Sequence, residues 1–254
     1  MADGFHKSGV RELAYSQTSG DGPGLVFLGG LRSDKEGTKA IYLEEWAQSR
    51  GRAFLRFDYS GHGQSSGTFE EGAIGDWFED AVAIIDALTE GPQILVGSSM
   101  GGWVSLLIAR ERPDLVAGLV TIAAAPDFTE DGMWGSFDAE QRQTLENEGF
   151  VALPSEYSDG PYIISKRLIE EGRTRLVLRD PLHLPVATRF LQGAADADVD
   201  VSVAYRLLEH AEGEDMRLTV VKGRLENEGF ERKAESITVD LTNPFEASKE
   251  IVKQ

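Results

Sequence analysis

The amino-acid sequence predicts an α/β protein with a mainly parallel central sheet and helices on both faces. Three observations carry that expectation. Short apolar runs of strand length alternate with longer stretches whose apolar residues recur at helical spacing. Runs such as Leu25-Val26-Phe27-Leu28 are continuous in apolar character, as strands buried on both faces are. The 254 residues, 41% of them hydrophobic, suffice for one substantial core, which fits a single domain over 1–254.

The elements follow in order. Leu25–Leu28 is a strand ending at Gly29-Gly30. Glu36–Arg50 is a helix with Ala40, Leu43, Trp46 and Ala47 on one side, and it stops at Gly51. Ala53–Phe57 is a strand and Ile74–Leu88 a helix, with Trp77, Phe78, Ala81, Ile84, Ile85 and Leu88 along one face. Ile94–Val96 is a strand, Met100–Arg110 a helix closed by Pro113, and Leu119–Ala123 a strand. Ala187–Leu191, Val201–Ala211 and Leu218–Val221 complete the alternation as strand, helix and strand.

Between them, residues 126–185 interrupt the pattern with five prolines and many acidic residues. Structureless loops longer than about 15 residues are uncommon, so this insertion reads as a helical lid. Its helices are placed at Asp138–Glu148 and Tyr162–Glu171. Residues 223–254 are atypical, charged and weakly amphipathic, with a short strand at Ile237–Leu241 and a helix opening at Asn243-Pro244. Leu-Glu-Asn-Glu-Gly-Phe occurs twice, at 145–150 and 225–230, but its surroundings do not repeat.

Charge narrows the partners. With 25 Lys and Arg against 43 Asp and Glu, the formal net charge is −18. Such a chain repels phosphate backbones and anionic lipid heads, which argues against nucleic-acid binding. The absence of cysteine excludes a disulfide scaffold, a thiol nucleophile and Cys-based metal sites. The start, Met1-Ala2-Asp3-Gly4-Phe5-His6-Lys7, has no apolar run of signal-peptide length, and no run approaches the ~20 residues of a membrane span. These features predict a cytoplasmic protein with no membrane span.

Gly97-Ser98-Ser99-Met100-Gly101 lies between a strand and a helix, the context that the Gly-x-Ser-x-Gly nucleophile turn requires. A sharp strand-to-helix turn strains the central residue and crowds the flanking positions, so glycine occupies both. Ser99 is therefore the candidate nucleophile, and Ser98 is expected to point inward. The helix N-terminus offers free N–H groups to a developing oxyanion, Met100 among them. The second donor is expected in Gly29-Gly30-Leu31-Arg32-Ser33-Asp34, at Leu31, with Gly30 and Arg32 as neighbouring options.

Serine hydrolases with this turn place an acid after a late strand and a histidine after the last one. Asp196 is the candidate acid, Asp198 the alternate, and Asp127 a weaker third. Histidine suits the base because its pKa lies near working pH. The four histidines, His6, His62, His183 and His210, all precede Leu218–Val221, so the expected base is missing.

Residues 25–222 resemble the α/β-hydrolases related to the mitochondrial palmitoyl-protein thioesterase, also described as an acyl-glucuronide esterase. The blocks that carry the likeness are Phe27-Leu28-Gly29-Gly30-Leu31-Arg32-Ser33-Asp34, Phe54 to Gly63, Val96 to Trp103, Ala125-Pro126-Asp127-Phe128-Thr129 and Leu191-Gln192-Gly193. The resemblance implies the α/β-hydrolase fold, with His62 structural within the Asp58 to Ser65 loop. It implies a serine esterase or thioesterase acting on a small acyl ester or thioester, or on an acylated protein, without metal or organic cofactor. It carries over Ser99 as nucleophile and Asp196 as acid. Members of that family read Val-Lys and then, within a few residues, an Asp-His pair bearing the base. Here Val221-Lys222 continues as Gly223-Arg224-Leu225. Three accounts compete: a shifted or recombined coding sequence, a repurposed relative, or takeover by His62, His183 or His210. Trp134, Phe137, Phe150, Tyr157 and Tyr162 either line an acyl pocket in the lid or pack the lid itself.

Overall fold

The computed structural model describes residues 1–153 and 161–223. Strands β1 (Ala2–Ser8), β2 (Arg11–Thr18), β3 (Asp21–Leu28), β4 (Arg52–Phe57), β5 (Gln93–Ser98) and β6 (Val116–Ile122) are followed by β7 (Phe150–Leu153), β8 (Tyr162–Ser165), β9 (Leu182–His183), β10 (Thr188–Gly193), β11 (Ala211–Glu212) and β12 (Met216–Val221). The helices are α1 (Thr38–Ser49), α2 (Ile74–Leu88), α3 (Met100–Glu111), α4 (Ala139–Glu148), α5 (Lys166–Gly172) and α6 (Val201–His210). One eight-stranded sheet runs in the order β1-β2-β4-β3-β5-β6-β10-β12. β1 and β2 are antiparallel to their neighbours, and every later pairing is parallel.

Alternation within β3 explains the double covering. Val26 and Leu28 enter one core with Leu55, Leu95, Leu119, Phe190 and the apolar sides of α2 and α3. Leu25 and Phe27 face the other way, into a second core with Phe54, Val96, Leu191 and the α1 residues Ala40, Leu43, Trp46 and Ala47. Burial of both sets stabilises the fold by roughly 25 cal/mol for each Å² of apolar surface removed from water. Arg56, between Phe54 and Phe57, points to the α1 side, where Glu44 pairs with it at 2.8 Å; both are almost fully buried.

The strip formed by β1 and β2 was not foreseen, because its residues lack a continuous apolar run. In β2, Leu13 and Ala14 are buried and Tyr15 packs partly buried against the same core, whereas no hydrophobic residue of β1 is buried.

The insertion between β6 and β10 is not purely helical. A π-helical stretch spans Thr129–Trp134. α4 starts at Asp138, which accepts the Gln141 amide while Gln141 Oε1 accepts the Asp138 amide. Tyr162–Glu171 is not one helix: Tyr162–Ser165 pairs antiparallel with Phe150–Leu153, and only then does Ser165 cap α5. An aromatic followed by two isoleucines favours a pleated surface, and the cap residue ends the strand. Ile237–Leu241, Asn243-Pro244, Tyr157 and the second hexapeptide lie outside the described residues.

Candidate functional site

Parallel strands bring their carboxyl ends to one edge of the sheet, and the turns that follow β3, β5 and β10 all open on that edge. Ser99 sits between β5 and α3 with φ +52° and ψ −116°. Non-glycine residues rarely occupy this region, and such strain clusters at functional sites. The surroundings hold it: the Ser99 amide donates to the Ile122 carbonyl at 3.0 Å, and the Ser99 carbonyl accepts from Gly102 and Ala125. A methyl on Gly97 would lie 2.3 Å from the Gly101 carbonyl oxygen, and one on Gly101 would lie 2.0 Å from that of Leu28. Both flanking glycines are therefore sterically required. Ser98 is buried, as expected, whereas Ser99 is half-buried.

Met100 is the first residue of α3, where backbone amides have no partner within the helix. The β3–α1 loop closes on Ser99 from the other side. A methyl on Gly30 would stand 3.4 Å from Ser99 Cβ, and the Ser33 amide turns back to the Gly30 carbonyl at 3.1 Å. Leu31 follows directly. Arg32, with φ +58°, turns outward: its guanidinium lies over Phe69 and over Tyr162 of the lid and pairs with Glu70 at 3.1 Å. That bridge between loop and lid had no sequence signal.

Two buried charges hold the same loop from below. Asp58 accepts the Lys35 amide at 2.6 Å, and Arg56 donates to the Lys35 carbonyl at 2.8 Å. Burial pushes the Asp58 carboxyl up from its ordinary range, against the Gln64 and Lys35 amides that pull it down.

Asp196 stands just past β10. Its Oδ1 accepts the Asp198 and Val199 amides at 3.0 and 2.9 Å, which fixes the carboxylate's direction. Its other oxygen takes no hydrogen bond from a described residue. Asp198 is exposed. Asp127 is fully buried and committed elsewhere: it accepts the Val177 and Leu178 amides and pairs with Arg179 at 3.1 Å. It anchors the lid's return. Burial raises its carboxyl despite those donors.

The histidines divide by edge. His183 pairs in register with Glu212, at the amino ends of β10 and β12 and on the edge opposite Ser99. His210 closes α6, which runs back from β10 to the start of β12, and binds the Asp180 carbonyl at 2.8 Å. His62 follows β4 on the Ser99 edge but is enclosed by Tyr59, Phe69 and Trp77, with Nδ1 on the Ser60 carbonyl. Burial lowers its pKa. His6 lies on β1, at the far end of the sheet order.

In the lid, Phe137 is buried against Trp134, and the guanidiniums of Arg142 and Arg173 lie over the Trp134 ring. Phe150 is 43% exposed. Trp134, Phe137 and Tyr162 thus have packing partners of their own within the lid and its border.

A profile described as the alpha/beta hydrolase family matches residues 25–240, running on past Lys222. Similar curated proteins include the mitochondrial palmitoyl-protein thioesterase ABHD10 of Bos taurus, 41% identical over 72% of this chain and 60% of the relative. Its Homo sapiens counterpart is 39% identical over 76% of this chain and 63% of the relative. The chain spans less than two thirds of the length of either. Among solved structures, a putative hydrolase from Agrobacterium vitis S4 superposes with a TM-score of 0.86 at 36% identity, covering 94% of this chain and 99% of that one. Alpha/beta hydrolase domain-containing protein 10 from mouse gives a TM-score of 0.85 at 32% identity, covering 95% and 98%. The expected cytoplasmic location is corrected by this comparison: relatives at 38–41% identity carry mitochondrial names. No described helix is long and apolar enough to cross a membrane.

Proposed function

The chain belongs to the alpha/beta hydrolase family, and on that premise we propose a serine hydrolase that cleaves carboxylic esters or thioesters through an acyl-enzyme on Ser99. One observation carries the reading: Ser99 is held in a strained backbone conformation at the head of α3, with Gly30 packed against it. Ser99 Oγ attacks the acyl carbonyl carbon, and the resulting oxyanion accepts from the Leu31 and Met100 amides. Collapse breaks the bond to the alcohol or thiol, which leaves carrying the proton that Ser99 Oγ gives up, and water then hydrolyses the acyl-serine, its hydroxyl going to the acid and its proton back to Oγ. The named activity of the relatives supports a long-chain acyl thioester, including an acylated protein, as substrate.

Asp196 would orient a protonatable base, and residues 211–254 contain no histidine. We therefore propose that turnover is impaired, since unassisted serine is a poor nucleophile. The same observation favours a second reading, a non-catalytic acyl-binding protein on this fold. Short- and long-chain p-nitrophenyl esters and an acyl thioester, tested with and without Ser99→Ala, decide between them. Slow cleavage that depends on Ser99, with fluorophosphonate labelling, supports the hydrolase. Acyl binding without labelling or cleavage supports the second reading. Ester cleavage unchanged in Ser99→Ala overturns the first.

A further inference from the structure

β1 ends the sheet order, so the outward backbone groups of Ala2–Ser8 face no strand among the described residues. An open edge is a template for another strand. Residues two apart share a face, which places Asp3, Phe5 and Lys7 together. All three are exposed, Phe5 by 56%. The Ser16 hydroxyl donates to Asp3 and fixes its carboxylate on that face.

We propose that β1 is a self-association surface, on which a second copy of this chain adds its own β1 antiparallel. The strand is complementary to itself in one register. With the two-fold axis through Phe5, Asp3 stands opposite Lys7 of the second copy and Lys7 opposite its Asp3. The two Phe5 rings face each other, and Gly4 faces His6. Moving the axis to Gly4 sets Asp3 against Phe5; moving it to His6 sets Lys7 against Phe5. Cross-strand pairs of opposite charge and of aromatic rings stabilise a sheet, whereas like charges directly opposite oppose it. Charge balance points to the same place. The chain carries −18, yet Asp3 and Lys7 cancel within β1, so two copies can approach there without bringing like charges together. Seven residues from each copy make a small interface, which gives a reversible, concentration-dependent dimer rather than an obligate one.

Sedimentation velocity over a wide concentration range tests the proposal. The native chain shows a monomer–dimer equilibrium. Asp3→Lys and Lys7→Asp each weaken it by roughly tenfold or more, because two attractions become two repulsions. An equimolar mixture of the two variants restores the dimer, which also shows that both are folded. The chain has no cysteine, so Phe5→Cys, on oxidation, gives a disulfide-linked dimer, whereas Val10→Cys, in the fully exposed hairpin turn, does not. A monomer at every concentration, a dimer indifferent to charge at positions 3 and 7, or equal cross-linking from positions 5 and 10 overturns it.

Discussion

Ala195 donates its amide to the Gly223 carbonyl at 3.1 Å, and Ala194 donates to Val221 at 2.8 Å. These bonds tie the exit of the last strand to the turn that carries Asp196. The chain leaves β12 beside its candidate acid, the position from which a base would be supplied, and it leaves as Gly223-Arg224-Leu225.

Activity measurements follow from that. In a comparable triad, losing the histidine alone cost about 10⁶ in kcat, while roughly 10³–10⁴ over water survived through oxyanion hole and binding. We expect slow turnover of activated aryl esters, abolished by Ser99→Ala and unaffected by His183→Ala or His210→Ala on the opposite edge. Fast turnover lost with either histidine, read from p-nitrophenyl acetate kinetics, would refute the missing-base argument.

The turn itself is intolerant of a methyl group. Gly101→Ala places Cβ 2.0 Å from the Leu28 carbonyl oxygen, a backbone atom that cannot swing aside. Overpacking of this kind costs about 1–3 kcal/mol and sometimes more. Urea unfolding should give a loss in the upper part of that range, together with loss of fluorophosphonate labelling at Ser99.

Asp127 and Arg179 should differ sharply. Asp127→Ala leaves two buried amides without their acceptor and costs about 3 kcal/mol. Arg179 is 37% exposed and pairs with Asp131 as well, so Arg179→Ala costs about 1 kcal/mol or less. Protease cleavage within 126–185 should accelerate in the first variant far more than in the second. Equal losses would show that the ion pair, not the buried amides, holds the lid.

His62 gives stability a pH dependence of known sign. Burial depresses its folded pKa below the ordinary 6.5, so below that pH the unfolded chain binds the extra proton. Its contribution is present above pH 6.5 and is lost as pH falls through the lower folded value. Carboxylates titrate alike in native protein and His62→Phe, so their difference isolates this residue. The native protein should lose stability relative to the variant between pH 7.5 and 5; parallel pH curves in urea unfolding would mean that His62 titrates normally.

The Ser99 turn was legible because contact distances leave no alternative to glycine at 97 and 101, a constraint that appears in the sequence as a pattern. The buried parallel strands were legible because two-sided burial demands continuous apolar runs. Other features depend on partners far away in the chain. Glu44 and Arg56 look like surface charges until α1 lies against β4 and pairs them. Asp127 resembles a catalytic carboxylate until residues 177–179 return to it. β8 looks helical in the sequence because its partner, β7, lies across the lid hairpin.

All eight strands of the main sheet are encoded before Lys222. On the proposed mechanism, scaffold and proton shuttle would be written in separable stretches of the gene. A lesion downstream of that codon leaves each of the described sheet pairings intact, so chaperones and proteases, which inspect exposed cores rather than turnover, would have little in those strands to detect. Descendants of such a lesion can persist as sound vessels, free to keep a guest they no longer cleave.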